Sequence, residues 1–202
     1  MKMKIDVSDG KNVFFISDFH LFHKNVVKFD NRPFVDKNGE PDMLAMNKTI
    51  IKNWNDTVNE NDIVFYLGDL VFGRIEWANQ VIHALNGEIH YILGNHDKYE
   101  DIKSLGRFKT ISDYIELNIL GDVQSPNLHF CLMHYPVHSW NRAHHGSYMI
   151  HGHCHMSLSD KEFHQDKRIY DVGCNGWDYT PIEYHRIVKL GEKVNYKINT
   201  HH

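Results

Sequence analysis

The sequence reads as an α/β protein. Three observations predict that class: short apolar runs of strand length recur along the chain, two of them are joined by a helix-period segment, and that strand–helix–strand order calls for parallel strands. The two runs are Ile63–Leu67 and Ile89–Leu93, and between them Ile75, Ala78, Ile82 and Leu85 recur at helical spacing before Asn86-Gly87 closes the turn.

The remaining elements follow in chain order. Val13–Ser17 is a buried strand by its length and its aromatic and β-branched content. It ends in Asp18-Phe19-His20, where a carboxylate and an imidazole two residues apart face one way in extended chain and make half of a transition-metal site. His23, Asn25 and Arg32 follow in a polar stretch that faces either a substrate or solvent. Lys37-Asn38-Gly39 marks a turn, and Pro41-Asp42 opens a helix to about Asn55 with Leu44, Ile51, Trp54 and Val58 near its packed face. Ile63–Leu67 ends in Gly68-Asp69, and Ile89–Leu93 in Gly94-Asn95-His96-Asp97. Tyr99–Leu105 reads as a short helix, Tyr114–Leu120 and His129–Met133 as a strand and its return, and Gly121–Asn127 as the loop between them. His134 closes the return strand. The segment 137–147 that follows is polar and aromatic and carries Asn141, Arg142, His144 and His145. Tyr148–Ile150 leads into His151-Gly152-His153-Cys154-His155, in which His153 and His155 share a side and His151 and Cys154 point elsewhere. Ile169–Val172 is a last core strand, and Arg186–Leu190 with Val194–Ile198 reads as a terminal hairpin.

Composition narrows the function classes. At 202 residues with 42% hydrophobic content the chain is read as one domain able to bury a full core. A net charge of −4 counts against duplex nucleic acid as a partner. No apolar run reaches membrane-helix length, and the N-terminus lacks the apolar stretch of a signal peptide. Three scattered cysteines point to reduced thiols and a cytoplasmic location. The 17 histidines are the unusual count, and they point to metal binding or acid–base chemistry; His201 and His202 are compatible with a tag remnant and carry no weight.

Five apolar strands thus end in metal-competent groups: Asp18 and His20, Asp69, Asn95 with His96 and Asp97, His134, and His153 with His155. In this order the motifs Asp-x-His, Gly-Asp, Gly-Asn-His-Asp, His and Gly-His-x-His resemble those of the calcineurin-like metallophosphoesterase superfamily. They run from Asp18 to His155, about two thirds of the chain. Phe29–Phe34, Asn53–Asn55, Leu67–Gly73 and Ala143–His155 resemble a small bacterial and phage branch. After Gly68-Asp69 the chain has Leu70-Val71-Phe72-Gly73, without the acidic residue and arginine of some other branches.

The resemblance implies an α/β/β/α sandwich of two mixed sheets flanked by helices and a two-metal site, and the 202-residue length leaves little room for a cap domain. Asp18, His20 and His155 would hold one metal, Asn95, His134 and His153 the other, and Asp69 would bridge them. The mixed nitrogen and oxygen donors suit Mn²⁺, Fe²⁺, Zn²⁺ or Ni²⁺ alike, and the resemblance puts Mn²⁺ first. His96 would serve the leaving group as general acid or cationic donor, with Asp97 orienting it. Arg32, Asn141 and Arg142 are candidates for substrate contact, in a pocket shaped by the loops Asn25–Pro41 and Tyr135–Ser147. The activity implied is hydrolysis of a phosphodiester or phosphomonoester, nucleotides included. A nuclease acting on nucleic-acid ends is the alternative enzyme. A metal-bound binding module without turnover is the alternative from another class, and the His96-Asp97 pair counts against it.

Overall fold

A run that is apolar at every position can form a strand only where both of its faces are covered, and that condition is met at the centre of this fold. The computed structural model of the chain describes residues 1–124, 127–157 and 168–193. The described strands are β1 (Lys2–Asp6), β2 (Val13–Ile16), β3 (Ile63–Tyr66), β4 (Glu88–Ile92), β5 (Thr110–Ser112), β6 (Tyr114–Leu120), β7 (Asn127–Met133), β8 (Tyr148–His151), β9 (Ile169–Asp171) and β10 (Ile182–Glu183). The described α-helices are α1 (Val26–Phe29), α2 (Met43–Thr57), α3 (Ala78–Ile82), α4 (Tyr99–Ser104) and α5 (Tyr184–Gly191).

Two mixed five-stranded sheets result. The first has the order β10-β2-β3-β4-β5, with β2 to β5 parallel and β10 antiparallel at the edge. The second has the order β1-β6-β7-β8-β9, with one antiparallel pair, β6 and β7. Phe15, Phe65 and Ile92 on one face of the first sheet pack with Ile115, Leu117, Phe130 and Ile150 from the inner face of the second. The opposite face of the first sheet, Phe14, Ile16, Val64 and Tyr91 among it, packs against Met46, Ile50 and Trp54 of α2, Ala78 and Ile82 of α3, and Ile102 of α4. On the outer face of the second sheet a small cluster of Cys131, Met149 and Ile169 forms, with no residue of a described helix in it.

The parallel run β2-β3-β4 brings three strand ends to one edge, where the sequence placed its polar motifs. The β-α-β reading of 63–93 is borne out, though its helix is a 3-10 turn over Ile75–Trp77 followed by α3. Helix α2 starts from Asp42, whose carboxylate accepts from the Ala45 N–H at 2.9 Å. Its packed face is Met46, Ile50 and Trp54 at four-residue spacing, and Leu44, expected on that face, is 62% exposed.

One element is corrected. Arg186–Leu190 lies in helix α5, not in a hairpin strand. Tyr184, Ile187, Val188 and Gly191 are buried at helical spacing, and Gly191 sits where a Cβ would strike the Tyr148 ring. Val194–Ile198, the other half of the expected hairpin, lies outside the described residues. β1, β5 and β10 went unread: β1 is an edge strand whose alternating lysines keep it short of an apolar run, and β5 and β10 are only three and two residues long. All three cysteines are free thiols, and among the described residues no helix is long and apolar enough to cross a membrane.

The burial difference on α2 is directly testable. Ile50→Ala should cost about 2–5 kcal/mol in urea unfolding, whereas Leu44→Ala should stay within about 0.5 kcal/mol; equal costs would contradict the assigned face.

Candidate metal centre

The site is assembled from chain reversals stitched to one another by backbone hydrogen bonds. After β2, the Asp18 N–H donates to the Gly68 carbonyl and the His20 N–H to the Asp69 carbonyl, both at 3.0 Å. The loop after β2 therefore runs alongside the loop after β3. The loop after β4 joins through the His96 N–H, which donates to Asp69 Oδ1 at 2.9 Å. The second sheet joins through the His153 N–H, which donates to Asp18 Oδ2 at 3.0 Å, and within that sheet the Gly152 N–H donates to the His134 carbonyl and ties the ends of β8 and β7 together. Gly68 and Gly94 make the close approach possible. A Cβ on Gly68 would lie 2.6 Å from His134 Nδ1, and one on Gly94 would strike the Asp69 carboxylate. Asp18, His20, Asp69, His153 and His155 all adopt positive φ, between 48° and 68°, a costly backbone state for residues with a Cβ.

All seven sequence-predicted ligands come together. Asp69 Oδ2 lies 3.6 Å from His20 Nε2 and 3.5 Å from His134 Nε2. His155 Nε2 lies 3.5 Å from Asp18 Oδ1 and 3.1 Å from His20 Nε2. Asn95 Oδ1 lies 3.0 Å from His134 Nε2 and 2.8 Å from His153 Nδ1. Hydrogen bonds at Nδ1 aim two of the rings. His134 Nδ1–H donates to the Leu67 carbonyl at 2.7 Å, and His155 Nδ1–H to Asp30 Oδ2 at 2.7 Å, so each ring turns its Nε2 into the site. His20 Nδ1 is buried with no hydrogen-bond partner among the described residues. Nitrogen and oxygen atoms able to act as donors converge here, which is the donor set a divalent transition metal requires.

The electrostatics agree. Burial pushes the His20 imidazole down to about 3, against the pull of Asp18, so its ring is neutral. Burial raises the Asp69 carboxyl, which His134 offsets only in part. Burial also opposes the charge on His155, but Asp18 and Asp30 outweigh it and hold that imidazole up at about 10. The buried Asp69 carboxylate, unlike Asp18 beside His155 and Asp30 beside Arg32, lacks a matching fixed cation, and a bound metal ion would supply it.

The other sequence-predicted residues divide. His96 is at the site, its side chain 44% exposed and Nε2 3.9 Å from Asp69 Oδ2. Asp97 is corrected: it does not orient His96. Its Oδ2 accepts from the Asp69 N–H and Gly94 N–H at 2.8 Å and from the Tyr91 hydroxyl at 2.9 Å, donors that lie nearer than the ring. Arg32 is corrected as well: its guanidinium is fully buried and turned inward to Asp30 and to the carbonyls of Asp18 and Phe19. Asn141 and Arg142 line a separate depression of about 410 Å³ on the outer face of the second sheet, with Lys4, Glu116 and His129. They are held there because the Asn141 carbonyl accepts from Ser147 Oγ at 2.7 Å.

Over the ligands opens a cavity of about 280 Å³, lined on one side by His23, Val26 and Phe29. Phe29 is 75% exposed, and Phe72 stacks on His23 with ring centres 3.9 Å apart and touches His96. These aromatic residues and Asp30 are what sequence reading missed. Phe29, Asp30 and Arg32 all fall in the Phe29–Phe34 motif, but nothing in its composition showed which side chains turn inward.

No family model matches the chain. It is 36% identical over 187 residues to the uncharacterized protein MJ1445 of Methanocaldococcus jannaschii, covering 91% of this chain and 93% of that protein. It is 26% identical over 193 residues to the Gene 66 protein of Mycobacterium phage L5, covering 82% and 87%. Among solved structures, the protein of unknown function AQ665 from Aquifex aeolicus matches with a TM-score of 0.66 at 22% identity, over 90% of this chain and all of that one, a likeness of fold.

Two outcomes are expected of the centre. A Mn²⁺ excess of about a hundredfold over Kd should stabilise the fold by about 2.7 kcal/mol, roughly 5–10 °C in Tm for a chain of this size. Gly94→Ala should abolish most of that shift, because the new methyl displaces Asp69; an undiminished shift would place the cation elsewhere.

Proposed function

We propose that this chain, which belongs to one family with the uncharacterized protein MJ1445 of Methanocaldococcus jannaschii, is a phosphoesterase of the calcineurin-like metallophosphoesterase type with a dinuclear centre. The observation that carries the reading is the meeting of seven nitrogen and oxygen ligands, with the Asp69 carboxylate between His20 and His134. Two face-to-face mixed sheets with helices outside the first supply three layers of the sandwich that this reading implies. Asp18, His20 and His155 would hold one ion, Asn95, His134 and His153 the second, and Asp69 both. Divalent cations bound there would supply Lewis-acid charge and an acidified water.

The chain's own groups do the rest. His96 is exposed enough to meet a substrate and sits beside Asp69, so it gives a proton or a hydrogen bond to the leaving oxygen. Asp97 acts at one remove, since its carboxylate holds the backbone of Asp69 and Gly94. The exposed Phe29 and the stacked His23 and Phe72 give the cavity an aromatic side that suits an ester with a flat group, a nucleotide among them. Phosphodiesters and phosphomonoesters both fit an opening of this kind.

The test is hydrolysis of para-nitrophenyl phosphate and its bis-ester by metal-stripped protein, with Mn²⁺, Ni²⁺, Zn²⁺ or Mg²⁺ returned. Turnover that depends on the added metal is expected, and His96→Ala should lower kcat by about 10²–10⁴ with metal content unchanged. Metal lost together with turnover in His96→Ala would make His96 a ligand instead. Full metal loading with no turnover of either ester would favour the binding-module reading.

A further inference from the structure

We propose that Asp30 and Arg32 form a positioning unit that joins the two separated halves of one ligand set, Asp18 and His20 on one side and His155 on the other. The inference rests on the metal-centre reading above and concerns how that centre is held. His20 and His155 are 135 residues apart in sequence and follow strands of different sheets. The packed core between the sheets aligns those strands, but it does not set the angle of an imidazole ring.

The connection runs through one carboxylate oxygen. Asp30 Oδ2 accepts from His155 Nδ1–H at 2.7 Å, from Arg32 Nη2 at 3.1 Å and from Arg32 Nε at 3.3 Å. From the same guanidinium, Nη1 donates to the Phe19 carbonyl at 2.8 Å and Nη2 to the Asp18 carbonyl at 2.9 Å. Those carbonyls belong to the turn in which Asp18 and His20 take φ of 59° and 48°. Asp18 therefore reaches His155 through three groups in contact: its own carbonyl, the Arg32 guanidinium and the Asp30 carboxylate.

Each contact has a consequence at the centre. Asp30 holds the His155 ring by its Nδ1–H, so that Nε2 faces Asp18 Oδ1 and His20 Nε2 and is placed to ligate once a metal displaces its proton. Arg32 braces a left-handed turn that has backbone strain to resist. Other groups also hold this turn: Tyr66 Oη accepts from the Phe19 N–H at 3.0 Å, and Cys174 Sγ–H donates to the Asp18 carbonyl at 3.2 Å. Neither reaches His155. An arginine in this place satisfies planar acceptors on several sides at once, which a lysine ammonium cannot reproduce.

A generic buried ion pair would stabilise the fold without favouring either metal position, and a control separates the two cases. Arg107 also caps backbone carbonyls, those of Leu85 and Gly87, with Nη2 at 2.8 and 2.7 Å, and has no contact with the ligand set. Mn²⁺ titration by calorimetry, read beside thermal unfolding, compares Asp30→Ala, Arg32→Met, Arg32→Lys and Arg107→Met with the unaltered protein. Asp30→Ala and Arg32→Met are expected to weaken one of two Mn²⁺ binding events by roughly 10- to 100-fold and leave the other within about threefold. Arg32→Lys should recover part of the loss, and Arg107→Met should lower Tm with both affinities intact. Unchanged Mn²⁺ binding in Asp30→Ala and Arg32→Met would overturn the positioning role, as would an equal loss in Arg107→Met. Absence of Mn²⁺ binding by the unaltered protein would instead overturn the metal centre itself, and the positioning role with it.

Discussion

The Asp69 carboxylate is the contact on which the rest of the site depends. It is buried, it stands at the end of β3, and every neighbouring strand end reaches it. His96 N–H comes from the end of β4, the His20 ring from the end of β2 and the His134 ring from the end of β7. Its own backbone is held in turn by Asp97 and by the His20 N–H. A carboxylate buried at this depth is costly unless charge and hydrogen bonds surround it. The surrounding architecture therefore serves electrostatics as much as packing: two sheets must deliver their polar ends to one point, and glycines at 68 and 94 must leave room for them.

Strain is the second constraint. Five candidate ligands occupy the left-handed region, where glycine would be the economical choice. Side chains persist there because the turns are over-determined by cross-loop hydrogen bonds, from Asp18 to Gly68, from His20 to Asp69 and from His153 to Asp18. Such positions recur at functional sites because a ligand must be aimed by its backbone before any ion arrives.

The strand ends were legible in the sequence because a buried strand and a polar terminus differ sharply in composition. Hence β2, β3 and β4 and their polar ends could be placed from residue type and order, while the set of seven candidate ligands came from the family resemblance those ends carry. What lay one layer behind could not. Asp97 follows His96 directly, and the family resemblance implied that it orients the ring, yet three backbone and hydroxyl donors hold its oxygens. Arg32 reads as a surface cation until the inward turn after α1 is known. Asn141 and Arg142 sit in a loop of suitable composition that folds over the other face of its sheet. Helix α5 was misread because Val188 and Leu190 look like strand, whereas the spacing of Tyr184, Ile187 and Gly191 carried the helical period.

The long separation between His20 and His155 has a consequence for the order of events in the life of the molecule. A zinc finger gathers its ligands within a short stretch and folds around the ion, so metal capture leads and structure follows. Here the ring closed by the His20–His155 contact spans 135 residues and includes most strands of both sheets. A chain still emerging from the ribosome holds the first ligands long before the last, and the loop entropy of so distant a contact is recovered only when the sheets have paired. Loading of the proposed centre is then a post-folding event. Which ion enters is decided by the finished pocket and by the metal supply that the folded chain meets.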